Sequence, residues 1–101
     1  MLFTITVANK KTYKGPGEYV GRPHILGNPF PMRDESQRAD VITQYRRWLF
    51  KHYEEPIYQY HLQRLLNIAR KGPLILICWC APLKCHADII KACLEYMDTK
   101  E

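Results

Sequence analysis

One stretch constrains the fold of this 101-residue chain more than any other: Leu74-Ile75-Leu76-Ile77-Cys78-Trp79-Cys80, closed off by Pro73 and Pro82. A run so continuously apolar reads as a strand covered on both faces, because a strand with one wet face alternates instead. It is about half the length needed to cross a bilayer. It is therefore expected at the centre of a sheet, and the rest of the chain must supply its cover.

The flanking patterns supply that cover. Leu2-Phe3-Thr4-Ile5-Thr6-Val7 alternates and reads as a first strand, with Asn9-Lys10-Lys11 as an exposed exit. Glu18-Tyr19-Val20-Gly21 reads as a short second strand after the turn-forming Gly15-Pro16-Gly17. Asp34 with Gln37, and Ser36 as a second cap candidate, predict a helix start, and the helix runs to about His52. Its apolar face is Val41, Ile42, Tyr45, Trp48 and Leu49, which leaves Arg38, Arg46 and Arg47 outward or at the rim.

Pro56 opens a second helix that buries Tyr58, Leu62, Leu65, Leu66 and Ala69 and ends at Gly72. The short link between the two helices predicts a hairpin. A last helix follows Pro82 and carries Ile89, Ile90, Cys93, Leu94 and Met97 inward. The expected fold class is α/β: a small single-domain Rossmann-like sheet over residues 1–101, in two or three layers. Its order is β-β-α-α-β-α, with the first and last strands as parallel neighbours. A chain of this length buries one core, so separate catalytic and substrate domains are excluded.

Composition narrows the function classes. The net charge of +5 suits an anionic partner, but the basic residues are scattered: Lys10, Lys11 and Lys14 near the start, Arg46 and Arg47 on a helix, Arg70 and Lys71 at a helix end. No groove-reading motif accompanies them, so a nucleic-acid partner is not expected. Three of the four cysteines crowd into residues 78–85, where strand neighbours bridge only with strain, which favours reduced thiols. Met1 to Val7 does not read as a secretory signal. A cytoplasmic protein with no membrane partner is the expectation. The aromatic-rich stretch Tyr53 to Tyr60 serves either the helix hairpin or a homo-oligomer interface.

In open α/β sheets ligands collect at the carboxyl ends of strands, where the next helix aims free N–H groups. Cys80 to His86 occupies that place, and three chemistries fit it. Cys78, Cys80, Cys85 and His86 form a possible zinc set, although their spacing is not that of common ribbons or fingers. Cys85, beside Lys84 and His86 at a helix start, is a candidate nucleophile with a lowered thiol pKa; its alternative is a packing thiol.

The third chemistry, anion binding, asks less of these residues. Lys84, His86 and the helix N–H groups hold a phosphate or carboxylate, with Cys80 and Cys85 alongside and Asp88 orienting His86 or a ribose hydroxyl. Asp88 can equally complement the helix dipole. Catalytic candidates beyond Cys85 are His86 and Asp88.

The second candidate segment is Gly21-Arg22-Pro23-His24-Ile25-Leu26-Gly27-Asn28-Pro29-Phe30, a stiff loop. Arg22 can grip a phosphate, His24 is a titratable group beside it, Asn28 can read a base edge, and Phe30 can stack on a ring. The bland alternative is an ordinary turn with Leu26 and Phe30 plugging the core. The two segments make one site only if the loop folds back over the start of the last helix.

These same segments resemble a phage and bacterial family known as domain of unknown function 4326. The resemblance rests on Gly21-Arg22, Leu26-Gly27-Asn28-Pro29-Phe30, Tyr45-Arg46-Arg47-Trp48-Leu49, and Cys78-x-Cys80-x-Pro82-x-x-Cys85-His86-x-Asp88. It covers most of the chain. It implies that phage-borne members exist, acting in the host cytoplasm, and by analogy of size and origin that such a domain sequesters a nucleotide-derived immune signal. The leading expectation is a nucleotide-like small-molecule ligand held between loop and helix start, without a cofactor. The alternatives are an enzyme acting on a nucleotide or nucleoside, and a zinc-stabilised module that inhibits a host protein.

Overall fold

The computed structural model describes residues 3–80 and 83–100. Strand β1 (Ile5–Asn9) and the two-residue strand β2 (Glu18–Tyr19) flank β3 (Leu74–Cys78), giving a sheet of order β1-β3-β2 in which both pairings are parallel. Ile5 lies opposite Leu74, Asn9 opposite Cys78, and Tyr19 opposite Ile77. The apolar run is thus the central strand, as its composition predicts. It ends two residues early: Trp79 and Cys80 have left the ladder.

Three helices complete the domain: α1 (Arg38–His52), α2 (Pro56–Lys71) and α3 (His86–Lys100). A 3-10 turn at Glu35–Gln37, absent from the expected β-β-α-α-β-α order, precedes α1. Asp34 caps that turn by accepting from Ser36 N–H at 2.7 Å, while Gln37 Oε1 reaches back to Arg33 N–H at 2.7 Å. The predicted capping residues are therefore used one turn earlier than the α-helix itself. The Rossmann-like pattern of helical crossovers also fails at the first connection, because β1 passes to β2 through the loop 10–17 with no helix.

The helices lie on one face of the sheet. Leu74, Leu76 and Cys78 are fully buried beneath them, whereas Ile75 and Ile77, which alternate to the other face, are half-buried. Loop 10–17 covers part of that second face: a Cβ on Gly17 would stand 2.8 Å from Ile77 Cδ1 and 2.9 Å from the Ile75 carbonyl. The domain has two layers, and the second cover foreseen for β3 is a loop.

The centre of the helical layer is α3, on which α1 and α2 both pack, so the expected α1–α2 hairpin is not the main contact. Their meeting point is the edge-to-face pair Trp48 and Tyr58 at 5.2 Å. Tyr45 and Leu49 from α1, Leu62, Leu65 and Leu66 from α2, and Ile90 and Leu94 from α3 are sealed from solvent. Each such aliphatic side chain contributes about 2 kcal/mol of transfer free energy. Among the described residues no helix is long and apolar enough to cross a membrane.

Candidate functional site

The chain leaves β2 into a loop braced by its own side chains. Arg22 donates from Nε to the Asn28 carbonyl at 2.7 Å and from Nη2 to the Phe30 carbonyl at 3.1 Å, so its guanidinium spans the loop mouth. Asn28 Oδ1 accepts from Phe30 N–H at 2.8 Å, and His24 Nδ1 accepts from Leu26 N–H at 3.0 Å. Gly27 is required by close approach, since a Cβ there would meet the His24 carbonyl at 2.9 Å and Arg22 N at 3.0 Å. Leu26 plugs the core, and its carbonyl accepts from the buried Tyr45 hydroxyl at 2.7 Å. Arg22 Nη1 has no bond to any described residue and remains available to a ligand.

The turn after β3 spends its chemistry inward. Cys85 stands just before α3 and caps it: its Sγ accepts from Ala87 N–H at 3.4 Å, while its own N–H donates to Asp88 Oδ2 at 2.9 Å. Asp88 thus completes a capping box, and it makes no hydrogen bond to His86 among the described residues. The N–H of Asp88 is taken by the Cys85 carbonyl, so N–H groups of Cys85, Ala87 and Asp88 expected to bind an anion are already occupied.

The Cys85 sulfur lies 3.0 Å from that of Cys78, and both are buried. Contact with Cys78, then burial, pushes the Cys85 thiol pKa up, the reverse of the shift a nucleophile needs. His86 is buried as well. Its Nε2 faces the Val20 carbonyl at 2.7 Å and therefore carries the proton, and its ring stands edge-on to Tyr45 at 5.3 Å. Burial lowers its pKa, against the opposing pull of the Val20 carbonyl.

Loop and turn nevertheless meet. They enclose a recess of about 280 Å³ at the carboxyl ends of β2 and β3. The loop side contributes Tyr19, Gly21, Arg22, Asn28, Phe30 and Met32; the turn contributes Trp79, Cys80, Cys85 and His86. The third wall is α1, through Arg38, Val41 and Ile42. The loop does fold back over the start of the last helix, as a shared site demands.

Six of the nine sequence-predicted ligand residues line this recess: Arg22, Asn28, Phe30, Cys80, Cys85 and His86. His24, Lys84 and Asp88 do not. His24 turns toward α2, edge-on to His61 at 5.2 Å, and burial followed by repulsion from His61 lowers its pKa. Lys84 is exposed and offers only its backbone carbonyl, to Arg38. Among the described residues no group of three or more His, Cys, Asp or Glu is placed to hold a metal, so Cys78, Cys80, Cys85 and His86 do not converge as a ligand set.

Arg38 is the recess residue that the sequence pattern left at the rim and did not assign to the site. Its Nε and Nη2 grip Glu35 at 2.8 and 2.6 Å, and its Nη1 donates to the Lys84 carbonyl at 2.8 Å. The Glu35 contact, then Cys80, raises its pKa above the ordinary arginine value. Helical periodicity alone puts Arg38 at the rim; only the return of the β3–α3 turn makes that rim a wall. Among the described residues the lining itself holds two guanidiniums, three aromatic rings and the apolar Met32, Val41 and Ile42, and the carboxylate beside it, Glu35, is held by Arg38.

The recess thus stands at the carboxyl ends of parallel strands in a small α/β domain, with two arginines in its lining. The chain belongs to the family described as Domain of unknown function (DUF4326), whose model matches residues 5–96 and so takes in the whole sheet and both recess segments. No curated protein and no solved structure matches the chain.

Proposed function

We propose that the recess binds a nucleotide-derived ligand and holds it without turnover. One observation carries this: Arg22, whose Nη1 is unbonded among the described residues, faces a 280 Å³ opening together with the rings of Tyr19, Phe30 and Trp79, while Glu35, the carboxylate beside that opening, is held by Arg38. Guanidiniums recognise phosphate through paired N–H groups, and aromatic faces take a planar base. The volume sits at the small end of ligand sites, which suits a single nucleotide better than a dinucleotide. Treating the sheet as a Rossmann-like miniature, the ligand occupies the usual crevice beyond the strand ends.

Holding rather than cleaving follows from the state of the candidate catalysts. His86 is locked to the Val20 carbonyl, Asp88 caps α3, and the Cys85 thiol is buried with a raised pKa. A domain of this kind acts by sequestering its ligand, such as a signalling nucleotide, from other proteins. The anion is gripped by Arg22 in place of the helix start and Lys84, with Arg38 neutralising Glu35 at the opposite wall.

Calorimetry with linear and cyclic mononucleotides tests the proposal. At a ligand concentration of 100 times Kd, binding raises stability by about 2.7 kcal/mol, visible as a thermal shift. Arg38→Gln and Phe30→Ala should abolish that shift, while Lys84→Ala, outside the lining, should leave it intact. A protein indifferent to every nucleotide in the panel overturns the proposal.

A further inference from the structure

The lysines that look scattered in sequence share one surface with the recess. Lys10, Lys11 and Lys14 border a second groove on the sheet face away from the helices, floored by Ile77 and walled by Tyr13 and Trp79. Trp79 lines this groove and the recess alike. The residue is 56% exposed, and its ring is fixed by an indole N–H bond to the Tyr19 hydroxyl at 2.9 Å. Lys10 Nζ lies 4.8 Å above the Tyr19 ring, so the groove's first cation touches the recess's own wall.

The groove is built in advance. Asn9, the last residue of β1, accepts on its carbonyl from Tyr13 N–H at 2.8 Å and on its side chain from Lys11 N–H at 2.8 Å. It also donates from Nδ2 to the Trp79 carbonyl at 3.0 Å, which ties the lysine loop to the β3 exit. Tyr13 is held by its hydroxyl on the Pro16 carbonyl at 2.7 Å. No carboxylate lines the groove, and none of the three ammoniums has a carboxylate partner among the described residues. The nearby acid of β2, Glu18, is drawn to Arg64 on α2 at 2.7 Å.

We infer that groove and recess together bind a single-stranded oligonucleotide, with its terminal nucleotide in the recess and the following phosphates running past Trp79 along Lys10, Lys11 and Lys14. This rests on the nucleotide reading of the recess and extends it from a mononucleotide to a strand end. A positive groove interleaved with exposed rings is how proteins hold single strands, since phosphates meet the cations and bases stack on the rings. A duplex does not fit, because its bases are already stacked and the recess has room for one nucleotide. The same lysines lacked a partner in the sequence because β1 and β3, 70 residues apart at Asn9 and Trp79, supply the two sides.

The test compares mononucleotides, a short single strand and its duplex by calorimetry or fluorescence anisotropy, at salt from about 50 to 200 mM. The strand should bind about tenfold or more tighter than the mononucleotide, the size of one stacked base. Its affinity should fall with salt at a log–log slope about 2 units steeper, from three single-strand phosphate contacts. The surface variant K11Q/K14Q, which spares Lys10 beside the Tyr19 ring, should lose most of that gain and of the extra slope while keeping its mononucleotide affinity. Mononucleotide binding with no gain for the strand, or a gain the double variant retains in full, overturns the strand inference and leaves the recess proposal standing. Strand binding that survives Phe30→Ala undiminished, with no mononucleotide bound, overturns both.

Discussion

The two segments that meet at the recess use their polar residues in opposite ways. The loop after β2 folds on bonds among its own backbone and side chains and turns Arg22, Asn28 and Phe30 toward the opening. The turn after β3 carries the residue types that most suggest catalysis, yet it spends Cys85 and Asp88 on capping α3 and His86 on the Val20 carbonyl. The difference lies in burial. A thiol or imidazole sealed among Leu, Ile and Tyr side chains must be satisfied internally, and once satisfied it is scaffold.

The sharpest way to break this contrast is His86→Ala. It empties the space beneath Tyr45 and leaves the Val20 carbonyl unpaired, which should cost about 3 kcal/mol of stability. Urea unfolding measures it; a loss under about 1 kcal/mol would return His86 to the pool of ligand residues. Next in size is Cys85→Ser, which puts a more polar hydroxyl beside Cys78 and should cost about 2 kcal/mol while the folded fraction keeps full nucleotide affinity. A variant that folds as well as the parent but loses affinity would restore Cys85 to the site. On the other segment Arg22→Gln should show the inverse pattern. It should lose about 1 kcal/mol of stability, because the brace is exposed, together with nearly all nucleotide binding.

What the sequence disclosed follows the same line. Unbroken apolarity identified β3 as the central strand, and three- and four-residue spacing found Val41, Tyr45 and Leu49. Both results depend on patterns within one element. The glycines and prolines of residues 21–31 likewise marked a loop without regular structure. What stayed hidden depends on partners far along the chain. Arg38 becomes a wall through a carbonyl 46 residues away, and the 10–17 lysines gain a ring through Trp79. The direction of Cys85 and His86 was equally hidden, because position at a helix start says nothing about whether a side chain points out to a ligand or back into the core.

The smallest expected effect is on pH dependence, and it separates the two segments by degree of burial. Burial holds both His86, in the turn, and His24, in the loop, below the ordinary histidine value of 6.5 in the folded chain. Below that value the unfolded chain binds protons that the native state refuses. Stability should therefore be full above pH 6.5, fall as pH drops through it, and level off once the folded-state values are passed. Each histidine can contribute at most about 1.4 kcal/mol per pH unit within that window. His86, the more deeply buried, should supply most of the slope. Urea midpoints from about pH 7.5 to 5.5 should show the decline in the parent protein and in His24→Gln nearly alike. If His24→Gln removes most of the slope, the imidazole that resists protonation sits in the loop, and the division between an inward-facing turn and an outward-facing loop is wrong.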